Sequence, residues 1–164
     1  MKTLRSPGGC PWDLAQTHKS LRRNIIEEAY EVLEAIELED EELLCEELGD
    51  LLLQVVFHAR MAEEAHSFSM QDVIDGVTKK LVRRHPHIFG DLQARDAAEA
   101  LLSWEAQKRR EKPERTSLLD GVPKDLPALM GAEKLQKKAA KAGFDWDDIA
   151  PVWQKLAEET AELQ

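Results

Sequence analysis

We predict an all-α fold for this sequence, and three observations favour helices over sheets. Hydrophobic residues make up 43% of the 164 residues and charged residues 33%, a balance that suits a helix-rich globular chain. Apolar residues recur at three- and four-residue spacing over several long segments. Aromatic residues amount to 5%, and Val and Ile are few, which argues against strands. We therefore expect an antiparallel bundle of amphipathic helices.

Helix start and stop signals divide the chain into six predicted helices. Thr17 and Asp40 are candidate N-caps for the first two. Pro86 follows the end of the third, so that "HPHIFGD" is predicted to be a loop. Gly143 suits the position just after the fifth. The six predicted helices cover roughly residues 17–38, 40–64, 70–84, 94–111, 128–142 and 149–164.

The same signals predict the domain organisation. Residues 1–16, rich in Gly and Pro, are an irregular N-terminal segment in which we expect Trp12 to anchor the segment to the core. Residues 17–112 form one helical domain, and 113–127, with three prolines and a glycine, form a linker. Residues 128–164 are expected to be a separate helical piece.

Charge and cysteine content exclude several classes of protein. The net charge of −10 disfavours nucleic-acid binding, and the acids concentrate in residues 27–50, which hold twelve acids and no Lys or Arg. A basic block follows at residues 78–95. No apolar run approaches the length of a membrane span, so we expect no membrane partner. Two cysteines without CxxC spacing favour a reducing cytoplasm.

Four acids on the first two helices are spaced so that they can meet. In one straight helix, Glu28 and Glu47 would lie about 28 Å apart. The chain could instead reverse at residues 39–40. Each acid on the first helix would then face the acid on the second helix that lies the same number of residues from the turn. Within each helix, acids three residues apart share a face. The carboxylates expected to converge are those of Glu28, Glu31, Glu47 and Asp50.

The sequence around these acids favours a metal site over a solvated acidic face, although an acidic face alone is the common alternative. "LGDLLLQVVF" is apolar almost all round, and we expect more than one neighbour to bury it. An ionised Asp50 there is costly unless it is compensated. Oxygen-only ligands select hard cations, Mg²⁺ first, with Mn²⁺ or Ca²⁺ next.

These motifs resemble the MazG family of nucleoside triphosphate pyrophosphohydrolases. The resemblance rests on EExxE followed by ExxD, on "GGCPWDLAQTHKSL", "ELGDLLLQVVFHA", "KLVRRHPHIFGD" and "WEAQKRREK", and covers about residues 8–120. It implies an all-α fold, Mg²⁺ dependence, with Mn²⁺ as a substitute, and hydrolysis of NTPs or dNTPs to the monophosphate and pyrophosphate. It also implies that the four acids are metal ligands.

The resemblance further implies where substrate binds. Residues of the family that matter for activity match Lys80, Arg84, Trp104 and Lys108, and Arg83 lies in the same basic run. Lys and Arg would neutralise phosphate oxygens, and the tryptophan would stack on the base or close the pocket. One departure is Leu43, which stands where active members often have a lysine. A second EExxE at Glu158–Glu162 lacks a matching ExxD, so residues 128–164 resemble the incomplete start of a second MazG domain.

The predicted mechanism is attack on the α-phosphorus by a water that the metal activates, with Glu27 orienting or deprotonating that water. We expect a homodimer or larger homo-oligomer, since one hairpin leaves "LLLQVVF" exposed.

Two alternative functions remain open. A ferritin-like oxidase would need two Glu-x-x-His motifs, and the sequence offers only Glu63-x-x-His66. A catalytically weak nucleotide-binding or assembly module is the other, and Leu43 favours it.

Overall fold

The computed structural model describes residues 1–111, 117 and 119–163, and every regular element in these residues is a helix. The predicted all-α class is confirmed. Within the described part, no helix is both long and apolar enough to cross a bilayer. The helices are α1 (Pro11–Ala15), α2 (Arg22–Glu37), α3 (Glu41–Glu64), α4 (Met70–Arg84), α5 (Pro86–Phe89), α6 (Ala97–Arg110), α7 (Ala128–Ala140) and α8 (Ile149–Glu162).

Two predicted boundaries differ from the structure for local reasons. The first long helix begins at Arg22 because Thr17 and Ser20 close a separate turn. The N–H of Thr17 donates to Ser20 Oγ at 2.9 Å, and the N–H of Ser20 donates to Thr17 Oγ1 at 3.1 Å. The prediction of a loop after α4 was wrong in part, since Pro86 occupies the first position of the one-turn helix α5.

The chain divides into two compact units, Met1–Ala100 and Leu101–Gln164. In the second unit, the Lys138 ammonium donates to the carbonyl of Asp120 at 2.6 Å, and Lys141 pairs with Glu105 at 3.0 Å. These contacts connect α7 to α6 and to the segment before α7. Five residues of the predicted linker at 113–127, namely 113–116 and 118, lie outside the described residues.

The turn between α2 and α3 lies where the sequence predicts a reversal. Glu39 has a φ of 54°, in the left-handed region. The N–H of Asp40 reaches back to the carbonyl of Ala35 at 3.1 Å, which completes a Schellman-type end to α2. The Asp40 carboxylate then accepts two backbone N–H groups of the first turn of α3, at 3.0 and 3.1 Å. The predicted N-cap and the predicted hairpin are both confirmed.

The core of the first unit is small. Leu21, Phe57 and Met61 form its buried cluster, and Met1 packs against them. Small side chains are buried at three further positions, Ala35, Ala59 and Ala62. Many large apolar side chains on α2 and α3 stay about half exposed, among them Ile26, Tyr30, Leu33, Leu48 and Leu52. One chain therefore leaves much of its apolar surface uncovered.

Arg5 anchors the N-terminal segment to α3. Its guanidinium pairs with Glu64 at 2.8 Å and lies 5.4 Å from the centre of the Phe57 ring. It also donates to the carbonyl of Gln16 at 3.3 Å. The prediction that Trp12 is the core anchor was wrong, because its side chain is 59% exposed and the charged arginine fixes the segment instead.

Candidate metal centre

The α2–α3 hairpin brings three carboxylates together. Each of Glu28, Glu47 and Asp50 offers one oxygen, and these oxygens all lie within 4.8 Å of one another. Glu28 comes from α2, whereas Glu47 and Asp50 lie one turn apart on α3. Glu28 and Glu47 are half-buried and Asp50 is exposed. The antiparallel register that the sequence predicts is therefore the register that gathers these side chains.

Glu31, the fourth acid of the predicted set, lies at the edge of this group. Its carboxylate is not one of the three that lie within 4.8 Å. It is nevertheless close enough to raise the pKa of Glu28 by charge repulsion and by a hydrogen bond, and to raise that of Glu47 by repulsion. Glu31 follows Glu28 by three residues, so the two side chains lie on the same face of α2.

Negative charge is concentrated at this centre, and it raises the pKa values of the carboxyl groups of Glu28 and Glu47. Burial raises the pKa of Glu28, and repulsion from Glu31 and Asp50 raises it further. Burial also raises the pKa of Glu47, and repulsion from Glu31 is the next largest cause. Ionised carboxylates this close together destabilise one another unless a cation lies between them. An all-carboxylate donor set fits a hard divalent cation such as Mg²⁺ or Mn²⁺.

Gln54 is a residue of this centre that the sequence analysis missed. Its side chain is only 8% exposed, and its Nε2 donates to Glu28 Oε1 at 3.3 Å. This hydrogen bond lowers the pKa of Glu28 and so opposes the effects of burial and repulsion. The signal was present in the sequence, because Gln54 is a polar residue within an apolar run, one helical turn after Asp50.

The expected burial of the α3 segment does not occur within a single chain. Leu52 and Leu53 are 55% and 43% exposed, and Asp50 itself is exposed. Among the helices of the described residues, α2 and, less extensively, α4 make the main contacts with α3, so a single chain leaves this segment exposed, as the sequence predicts for one hairpin.

The predicted phosphate-binding residues of the first unit lie near the end of α4. Lys80 and Arg83 are exposed and Arg84 is half-buried. Cations in the last turn of a helix also interact favourably with its dipole, which gives Arg83 and Arg84 a structural role in any case. Glu27, the predicted general base, is exposed on α2, next in sequence to Glu28.

Three other residues singled out from the sequence lie on α3 and α6. Leu43 is half-buried in the first turn of α3. Trp104, half-buried, and Lys108, exposed, lie on α6 in the second unit. The Lys108 ammonium is 4.0 Å from Glu105. Their part in binding substrate stays a prediction.

Comparison with known proteins identifies the region that carries the carboxylates. The family model described as the MazG nucleotide pyrophosphohydrolase domain matches residues 16–89, which contain all four predicted metal ligands. The chain is 47% identical over 166 residues to the nucleoside triphosphate pyrophosphohydrolase of Escherichia coli (strain K12), covering 99% of this chain and 63% of that protein.

Two further relatives differ in length. The nucleoside triphosphate pyrophosphohydrolase/pyrophosphatase MazG of Thermotoga maritima is 46% identical over 165 residues, covering 100% of this chain and 63% of the relative. The uncharacterized protein YabN of Bacillus subtilis is 53% identical over 138 residues, covering 84% of this chain and 28% of that protein. This chain thus spans 63% of the length of the two relatives that are named for an activity.

Proposed function

We propose, because residues 16–89 match the MazG nucleotide pyrophosphohydrolase domain, that this chain hydrolyses nucleoside triphosphates to a nucleoside monophosphate and pyrophosphate with a divalent cation, Mg²⁺ or its substitute Mn²⁺. One observation carries the proposal: three carboxylates from two helices converge within 4.8 Å inside the MazG domain. Two relatives named for this activity support it, at 46–47% identity over nearly the whole chain.

Glu28, Glu47 and Asp50 would hold the cation, with Glu31 as a fourth ligand. When bound, a cation there supplies charge neutralisation for the phosphates and lowers the pKa of water. The first unit contributes further positive charge on α4, where Lys80, Arg83 and Arg84 would bind phosphate oxygens. Binding and orientation of the triphosphate account for most of the catalysis expected in such a reaction.

Glu27 is the proposed general base. It would accept a proton from the water whose oxygen bonds to the α-phosphorus. The bond from the α-phosphorus to the bridging oxygen breaks, and pyrophosphate leaves with that electron pair. In the second unit, Lys108 would neutralise phosphate charge, and Trp104 would stack on the base or close the pocket.

We also propose that the chain works as a homodimer or larger homo-oligomer in a reducing cytosol. The half-exposed apolar side chains of α2 and α3 would be covered by a second copy. Cys10 and Cys45 are free thiols, which supports a reducing compartment.

A turnover assay tests the proposal. The chain is incubated with Mg²⁺ and each of the eight common NTPs and dNTPs, and pyrophosphate is measured with and without EDTA. We expect pyrophosphate only with the cation. In Asp50→Asn, which removes one charged ligand, we expect the rate of pyrophosphate release to fall at least about 100-fold.

Leu43, at the position where active members often have lysine, favours a second candidate, a weak nucleotide-binding module. Nucleotide binding without pyrophosphate release would overturn the enzyme proposal in favour of that module.

A further inference from the structure

Two histidines join the turn before α2 to α3. Nδ1 of His18, in the turn that Thr17 and Ser20 close, is 2.7 Å from Nδ1 of His58 on α3. The two ring planes are 18° apart, with the centroids 5.0 Å apart, so the rings are nearly parallel. Such an arrangement suits a hydrogen bond in which the proton lies close to the plane of both rings.

This hydrogen bond depends on how many protons the two rings carry. One Nδ1 must donate and the other must accept, so at least one ring must keep the lone pair of its Nδ1. A neutral pair and a pair with a single positive charge both meet this condition. When both rings are protonated, two N–H donors and two like charges face each other. The 2.7 Å contact between His18 and His58 cannot persist in that state.

A second feature of the structure disfavours a charge on His58. Its Nε2 is buried, and no group of the described residues bonds to it. A protonated ring donates from both nitrogens, so a buried Nε2–H without an acceptor adds a desolvation cost. Burial accordingly lowers the pKa of His58, and the charge of His18 lowers it further.

The elements around His58 present few other charges to it. Ile25 on α2, Phe68 before α4 and Val73 on α4 lie in the same groove as His58. Positions three and four residues from Ile25, His58 and Val73 share a helix face with them, and those on α3 and α4 are uncharged. The charged or titratable neighbours on α2, in the turn and in the segment before α4 are Lys19, Arg22, Glu28 and His66. Lysine and arginine keep their charge near neutral pH, so they do not switch.

We propose that the His18–His58 pair is an acid-sensitive latch, which holds the turn before α2 on α3 while at least one ring is neutral and releases the turn when both rings are charged. Leu21 follows His18 by three residues, is 3% exposed, and belongs to the core cluster with Phe57 and Met61. Release of the turn therefore loosens one member of this small core. The inference does not depend on the proposed function.

The release is confined to the turn, because the start of the chain has its own attachment to α3. Arg5 pairs with Glu64 at 2.8 Å. The pKa of Glu64 is lowered first by its hydrogen bond with Arg5, so the carboxylate stays ionised while the histidines become protonated.

The pKa of His58 sets the direction of the pH effect. The folded value lies below the ordinary value of about 6.5, so the unfolded chain binds more protons as pH falls through that value. The contribution of His58 to the free energy of unfolding therefore falls as pH drops below about 6.5. Glu28 and Glu47 contribute with the opposite sign because their pKa values are raised, so variants must be compared with the wild type at each pH.

The stability test compares the wild type with His58→Phe, whose ring has a similar size and cannot be charged. Urea midpoints are measured in EDTA at about pH 7.5 and about pH 5.5, on either side of the ordinary histidine pKa. The wild-type midpoint should fall more between these pH values than that of His58→Phe. His66→Asn is the control, because His66 is exposed and its φ of 54° suits asparagine, and it should follow the wild type. Equal falls in the wild type and His58→Phe would overturn the latch.

A ¹⁵N NMR titration of the intact chain in EDTA follows the two rings directly. The backbone amide signals of Ser20 and Leu21 should shift together with the protonation of the second ring of the pair. In His18→Asn, which removes the facing charge, His58 should titrate at a higher pH, and the Leu21 amide should no longer follow it. Both rings charged in the wild type with unchanged Ser20 and Leu21 signals would overturn the latch, even if a variant did not fold.

Discussion

The side-chain amide of Gln54 on α3 donates a hydrogen bond to the carboxylate of Glu28 on α2, with 3.3 Å between Nε2 and Oε1. Gln54 is almost fully buried, so its position is fixed by packing. The contact links the two helices of the hairpin at the candidate metal centre. It also favours the ionised form of Glu28, which is the form that binds a cation.

Removing this contact should weaken metal binding. In Gln54→Met the side-chain length is kept and the donor is lost, so the pKa of Glu28 should rise further and its orientation should loosen. We expect the Kd for Mn²⁺, measured by isothermal titration calorimetry, to increase about 10- to 100-fold. Gln71→Met is the control, because the exposed Gln71 side chain donates a hydrogen bond to Asp75 within α4. Equal affinities in the wild type and Gln54→Met would show that Gln54 does not support the ligand.

The stability of the metal-free protein should depend on the charge of Glu47. Its pKa is raised in the folded state, so the folded protein binds more protons than the unfolded chain over a window that begins near the ordinary glutamate value of about 4.3. This group therefore lowers the free energy of unfolding as pH rises through that window. In EDTA, Glu47→Gln should melt at a higher temperature than the wild type near pH 7, and the gap should close as pH falls to about 4.

Comparing Glu47→Gln with the wild type cancels the contributions of other groups to the pH dependence of stability, some of which have the opposite sign. Glu64, for example, has a pKa that is lowered first by its hydrogen bond with Arg5, so its stabilisation is lost as pH falls. Glu42→Gln is the control for Glu47→Gln, because Glu42 is exposed in the first turn of α3 and should show no gain. Adding Mn²⁺ should stabilise the wild type more than Glu47→Gln. A variant that is less stable than the wild type near pH 7 in EDTA would mean that Glu47 has a structural role.

Much of the hairpin was predictable because local chemistry determines it. Asp40 caps α3 as its side chain predicts, and α4 has the predicted ends. The distances of Glu28 and Asp50 from the turn at Glu39 predicted that they would meet, and their carboxylates do so. Periodicity and capping are properties of short segments, so a single sequence contains the information they need.

Features that depend on contacts between distant segments were harder to predict. Gln54 looked like one polar interruption of an apolar run until the packing of α3 on α2 placed its amide at Glu28. Arg5 anchors the N-terminal segment through Glu64, 59 residues away, where an aromatic anchor was expected. Apolar character alone predicted burial of Leu52, but it does not specify whether the covering surface belongs to the same chain.

The exposed apolar face of α3 should be buried between two copies of the chain. Leu48 and Leu52, one turn apart, are 49% and 55% exposed. The substitution Leu52→Glu should raise the dimer Kd on the order of 100-fold in sedimentation experiments, because burying an unpaired charge costs several kcal/mol. Gln71→Glu adds the same charge at an exposed polar position and should leave the dimer intact. A wild-type chain that sediments as a monomer at high concentration would rule out this interface.

The left-handed residue in the α2–α3 turn should be a site where stability can be gained. Glu39 has a φ of 54°, which costs a residue with a Cβ atom roughly 1–2 kcal/mol. Glu39→Gly removes that steric cost but makes the unfolded chain more flexible, so we expect a net gain of about 1 kcal/mol, measured from the urea midpoint. Lys79→Gly, inside α4, should instead lower the free energy of unfolding by about 0.5–1 kcal/mol.

We expect the hairpin geometry to be retained in Glu39→Gly, so its affinity for Mn²⁺ should match that of the wild type. A lower urea midpoint for Glu39→Gly would show that the Glu39 side chain contributes more to the turn than its backbone conformation costs.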